Sequence, residues 1–110
     1  MDLTKKHCVP CEGGTSPLSN SAEDELLKMA PGWIIDRLFE HKIRKIFMMK
    51  TFPEAIEFVN KIAIVAERED HHPDLYISYR KVTVELWTHS ILGLTENDFI
   101  MAAKINELTG

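Results

Sequence analysis

A chain of 110 residues with thirteen Lys and Arg against seventeen Asp and Glu carries a formal charge of −4. It is long enough for one two-layer core that buries roughly two thirds of the extended surface. That charge balance argues against direct nucleic-acid binding, which depends on neutralising phosphates. No apolar run approaches the roughly 20 residues needed to span a bilayer, and no hydrophobic segment follows Asp2, Lys5 and Lys6 as a secretory signal requires. The expectation is a cytoplasmic domain with no membrane contact, small enough that a homo-oligomer is a reasonable prior.

Residues 1–20 read as an irregular arm punctuated by Gly13, Gly14, Pro10 and Pro17, and residues 21–110 as the folded domain. Cys8 and Cys11 form a lone Cys-x-x-Cys in the arm. A structural zinc site wants four ligands, and a redox motif wants a strand before the pair and a helix after it. Local bracing, half of a metal site and redox activity therefore all stay open for the pair, with bracing favoured.

A first helix is expected from Ser21, with Asp24 in the capping-box position, ending at Pro31-Gly32. Trp33 then anchors the helix exit to the sheet. The β-favouring runs Ile34 to Phe39 and Ile43 to Met49 are separated by Glu40-His41-Lys42, with His41 expected in solvent. Thr51 and Glu54 form a second capping box around Pro53. Ala55, Phe58, Val59, Ile62, Ala63 and Ala66 then recur at the spacing of a helix docked on a sheet. Pro73 stops that helix and pushes His72 toward extended geometry. Leu75 to Tyr79 and Val82 to Thr88 give a second strand pair, in which Val82, Val84 and Leu86 share one face and Thr83, Glu85 and Trp87 the other. Trp87 on that second face suits a subunit contact. Thr95 caps a last helix with Asp98 in the box position. The order α-ββ-α-ββ-α predicts a two-layer α+β domain, a four-stranded, mainly antiparallel sheet with three helices on one face.

His71, His72 and His89 stand at the joints between these elements, where loops place chemistry on a rigid support. Three neutral imidazoles can bind zinc, an imidazolium and an imidazole can give and take protons near neutral pH, and His-His-Pro can simply brace a helix end. Spacing alone leaves all three open, with acid/base work favoured over bracing and metal binding.

The ordered set Ala66-Glu67-x3-His71-His72-Pro73, Tyr79-x2-Val82, Leu86-x-Thr88-His89 and Gly93-Leu94-Thr95-x2-Asp98-x3-Ala102 resembles the pterin-4a-carbinolamine dehydratases, as does Pro31-Gly32-Trp33. The likeness runs from about residue 22 to residue 108. It implies an α+β fold associating as dimers or tetramers through its sheets. The implied reaction is loss of water from a 4a-hydroxytetrahydropterin to give the quinonoid dihydropterin, with no metal or organic cofactor. The family's active-site histidines fall on His71, His72 and His89, and its acidic residue in the last helix on Asp98. On this reading His71 and His89 transfer protons, His72 orients the pterin, Asp98 fixes a tautomer, Glu67 supports from behind and Pro73 sets the geometry of the pair. A pterin-binding or protein-interaction module without activity and a metal-dependent hydrolase are the competing functions. Leu75 stands where family members commonly carry tryptophan, Trp87 where they carry a small or polar residue, and the Cys8-to-Pro17 arm is additional to the core motif.

Overall fold

The computed structural model describes residues 2–10 and 16–109. Four strands, β1 (Ile34–Asp36), β2 (Lys42–Met48), β3 (Asp74–Ser78) and β4 (Lys81–Leu86), form one sheet in the order β1-β2-β4-β3. Every neighbouring pair is antiparallel. Helices α1 (Asn20–Leu27), α2 (Phe52–Glu69) and α3 (Glu96–Glu107) complete the order α-ββ-α-ββ-α. This is the expected α+β architecture. Among the described residues no helix is long and apolar enough to cross a membrane.

The register explains which face is inside. Ile43 pairs with Leu86 and Phe47 with Val82, and all four are buried beneath Phe58 and Ile62 of α2 and Phe99 and Ile105 of α3. The alternate positions Ile34, Ile46, Met48 and Tyr76 point to the other face and remain exposed. Lys45 breaks the pattern, because alternation carries it to the helix-covered side. Its ammonium donates to the Pro31 carbonyl at 3.2 Å and to Asn106 Oδ1 at 2.8 Å, and burial pushes its pKa down.

Helix boundaries follow local chemistry. The Thr51 side chain accepts from the Glu54 amide at 3.2 Å, and Glu54 reaches back to the Lys50 amide at 3.2 Å. At the other end of α2, Asp70 takes a left-handed conformation (φ 52°), and the amides of Asp70 and His71 both return to the Ala66 carbonyl. α1 begins one residue earlier than Ser21, because Ser19 supplies the cap to the Ala22 amide at 3.2 Å. That frame turns Glu23 fully inward, where Arg37 Nε donates to it at 2.9 Å and His41 Nδ1 lies 2.7 Å away. His41 is therefore tied to α1 and not simply immersed in solvent. β1 stops at Asp36, whose carboxylate takes the Leu38 amide at 2.9 Å and turns the chain. Trp33 is buried, donates to Asn106 Oδ1 at 3.0 Å and meets Phe47 edge-on, so it ties the sheet to α3.

Within the segment read as an arm, Leu3–Lys5 forms a 3-10 turn and Leu3 is buried in the core. Lys104 of α3 donates to the Thr4 carbonyl at 2.9 Å. Of the Cys-x-x-Cys pair, Cys8 is placed and Cys11 lies outside the described residues.

Candidate active site

One open cleft of about 770 Å³ lies where the exit of α2, the end of β4 and the N-terminal segment converge. His71, His72, Pro73 and His89 all line it. The supporting acids Asp98 and Glu67 stand behind two of these rings.

His71 is the most enclosed of the three, with its side chain 12% exposed. Its Nε2 lies 2.6 Å from Asp98 Oδ1. Asp98 is fully buried, and its other oxygen accepts the Thr88 hydroxyl at 2.8 Å and the Thr95 amide at 3.0 Å. The Thr88 hydroxyl has one proton, which goes to Asp98, so Thr95 Oγ1, 2.9 Å away, donates to Thr88. A carboxylate accepting two protein donors has little freedom left, and the imidazole it holds is fixed in turn. Against an ionised Asp98 the His71 Nε2 is the donor, which leaves the lone pair on Nδ1, a nitrogen with no hydrogen-bond partner among the described residues.

His72 sits one residue on, with Nε2 2.5 Å from Glu67 Oε2. Both side chains are more than half exposed, so water screens this pair and it holds the ring far less firmly than Asp98 holds His71. Pro73 follows immediately and β3 starts at Asp74. The extended geometry imposed there sends the two adjacent rings to different carboxylates.

His89 stands on the turn that follows β4. Thr88 bridges to Gly93, with the Thr88 amide donating to the Gly93 carbonyl at 2.8 Å, and Leu92 takes a left-handed conformation (φ 58°) to close the turn. Gly93 is held against the N-terminal segment: a Cβ there would lie 2.8 Å from Pro17 Cβ. The His89 ring stacks on Trp87, with centroids 4.1 Å apart and planes at 33°. Trp87 Nε1 donates to Asp74 Oδ2 at 3.2 Å, and Lys42 Nζ lies 4.9 Å from the indole centroid.

The third wall comes from Cys8, Val9 and Pro10. Glu69, whose side chain is only 2% exposed, accepts the Cys8 amide at 2.8 Å and lies 2.9 Å from His7 Nδ1. Burial raises the Glu69 pKa, but the Cys8 N–H, His7 and the nearby Lys104 outweigh it and hold the group below its ordinary value. Asn97, also buried, exchanges two hydrogen bonds with the Val9 backbone. The Cys8 thiol faces the Asn97 carbonyl at 3.6 Å.

The sequence-predicted residues thus divide cleanly. His71, His72, Pro73 and His89 share the cleft, while Asp98 and Glu67 sit behind His71 and His72. Among the described residues no three His, Cys, Asp or Glu side chains gather closely enough to hold a metal ion. Trp87, Thr88, Glu69 and Asn97 belong to the site without having been assigned to it. For Thr88 a signal existed: its alternation with Leu86 sends it inward at the strand end, beside the helix cap it meets. Trp87 faces the cleft and not only the open side of the sheet.

The family model described as pterin 4 alpha carbinolamine dehydratase matches residues 16–108. A protein named as a pterin-4-alpha-carbinolamine dehydratase from Dechloromonas aromatica is 46% identical over 107 residues, covering 97% of this chain and 93% of its own. A protein of the same name from Rickettsia canadensis is 49% identical over 104 residues, covering 94% of each chain. The crystal structure of a transcriptional coactivator/pterin dehydratase from Brucella melitensis superposes with a TM-score of 0.81 at 38% identity, covering 86% of this chain and all of that one.

Proposed function

Because the chain belongs to the pterin 4 alpha carbinolamine dehydratase family, we propose that its cleft removes water from a 4a-hydroxytetrahydropterin by histidine acid/base catalysis. The observation that carries this reading is the His71–Asp98 pair, braced by Thr88 and Thr95, in the same cleft as His72 and His89.

The chemistry asks for two proton transfers. In the carbinolamine a ring nitrogen pushes its electrons toward C4a, the C4a–O bond breaks, and the departing hydroxyl takes a proton and leaves as water. A ring N–H proton is lost as the C=N bond forms. His71, held through Nε2 by Asp98, offers the Nδ1 lone pair as the base. His89, exposed at the mouth and without a carboxylate partner among the described residues, supplies the proton to the leaving oxygen as its imidazolium. Imidazoles suit both tasks because each protonation state is accessible near neutral pH. His72, more loosely held by Glu67, orients the pterin through hydrogen bonding. Pro73 keeps His71 and His72 from sharing one helix face.

The test is direct. Purified, chelator-treated protein should accelerate loss of enzymatically generated 4a-hydroxytetrahydropterin. Folded protein that leaves the buffer rate unchanged overturns the reading and favours a pterin-binding or interaction module. Activity lost on chelation and restored by zinc favours a metal-dependent hydrolase.

A further inference from the structure

The three imidazoles of the cleft are not held alike. His71 has Asp98 and His72 has Glu67, whereas no described hydrogen bond reaches the His89 ring, and its side chain is exposed on the Thr88–Gly93 turn. A proton donor left to rotate freely spends much of its time aimed away from the reacting oxygen, and misplacement of about 1 Å can cost roughly 10²-fold in rate. The one ring contact of His89 among the described residues is the indole of Trp87 at 4.1 Å.

The indole is itself anchored. Trp87 continues the outward-facing series of β4, and its Nε1 donates to Asp74 Oδ2, the first residue of β3. Asp74 pairs in register with Glu85, so Trp87 lies diagonally across from it on the same face. Asp74 also follows Pro73 directly, so a single side chain links the His72-Pro73 wall to the wall that carries His89. Lys42 of β2 rests over the same ring and holds it from the neighbouring strand.

We propose that Trp87 is a positioning residue for His89: its indole, fixed by Asp74, sets the plane of the His89 ring against the bound pterin. The inference rests on the dehydratase reading of the cleft. It assigns Trp87 a role inside one chain, where the sequence alone suggests a subunit contact.

Four full-length variants test it: Trp87→Ala, Trp87→Phe, His89→Ala and the Trp87→Ala/His89→Ala double variant. Single-turnover dehydration rates are measured beside imidazole signals by NMR, with His89 assigned through its own substitution. Trp87→Ala should slow the elimination step by about tenfold or more and move the His89 signals out of the shielding of the indole. Trp87→Phe keeps an aromatic face and should recover most of the rate and of the shielding. The double variant should be no slower than His89→Ala, since a positioning residue has nothing left to position. The proposal is overturned if the two substitutions slow the reaction additively, or if His89 signals are unmoved in Trp87→Ala. A wild-type protein without dehydratase turnover sinks the dehydratase reading instead, and the NMR comparison then decides by itself whether Trp87 orders His89.

Discussion

Asp98 and His71 are joined at 2.6 Å through a carboxylate that also closes the first turn of α3 on Thr95. One side chain therefore serves the fold and the site together, and the two services can be separated by substitution. Asp98→Asn retains an oxygen for the Thr95 amide but cannot accept from His71, Thr88 and Thr95 as a carboxylate does. It should keep its thermal midpoint within a few degrees while turnover falls by about 10²-fold. Asp98→Ala removes the carboxylate that takes the Thr95 amide, at a cost of about 1 kcal/mol, and leaves the buried Thr88 hydroxyl with Thr95 Oγ1 as its remaining partner. Thermal melts beside rate measurements decide it; an Asn variant that melts early yet turns over normally would make Asp98 purely structural.

The second expectation concerns the division of labour among the histidines. Replacing His71 or His89 with alanine should slow the elimination step by about 10²–10⁴-fold, and the double replacement removes both assigned proton carriers. His72→Ala should mainly weaken pterin affinity. Rapid-mixing single turnovers, with affinity measured separately, distinguish these effects. A His72 variant that binds normally but reacts slowly would exchange the roles.

A third expectation follows from Glu69. Its pKa is depressed in the folded protein, so its contribution to holding His7 and Cys8 is fully present above the ordinary glutamate range and is lost as pH falls through the depressed folded value. Amide exchange at Cys8, followed from about pH 6 to pH 3, should show protection disappearing toward the acid end before the core opens. Glu69→Gln should lose much of that pH dependence and start from weaker protection. Protection of Cys8 that persists unchanged to the acid limit would contradict the assignment.

The fourth expectation is self-association through the open face of the sheet. Tyr76, Thr83 and Ile46 lie side by side across β3, β4 and β2, with Ile34 and Met48 exposed on the same face. Water-facing apolar residues in a continuous row are characteristic of a buried contact. Sedimentation at micromolar concentration should give a mass of at least two chains, and Ile46→Lys should reduce it toward one. A wild-type monomer throughout that range removes the claim.

Much of this molecule was readable from local chemistry. The Thr51 and Thr95 caps, the stop at Pro73 and the alternation of Val82, Val84 and Leu86 each depend on residues a few positions apart, and each appears where expected. The same locality made the His71, His72 and His89 constellation visible, because all three flank element ends. What was not readable depends on partners distant in sequence. Glu69 meets His7 across 62 positions and Asn97 meets Val9 across 88, and no periodicity encodes either. Ser19 supplies the cap expected of Ser21, and the frame it sets places Glu23 beside Arg37 and His41, residues 14 and 18 positions away. For Trp87, alternation gave the correct face of β4 but not the fact that the strand ends at the cleft.

The left-handed turn at Asp70 makes the length of α2 a fixed quantity. Its 18 residues run from the Thr51 cap to the residue just before Asp70, and His71 comes next. One residue inserted anywhere between would rotate everything beyond it by about 100° around the helix axis, carrying the imidazole away from Asp98 while the buried stripe of Phe58 and Ile62 loses its phase. Substitutions along α2 can therefore accumulate on its outer side, but insertions and deletions have no neutral position there. Changes in length should be tolerated instead at residues 38–40, which are exposed between β1 and β2.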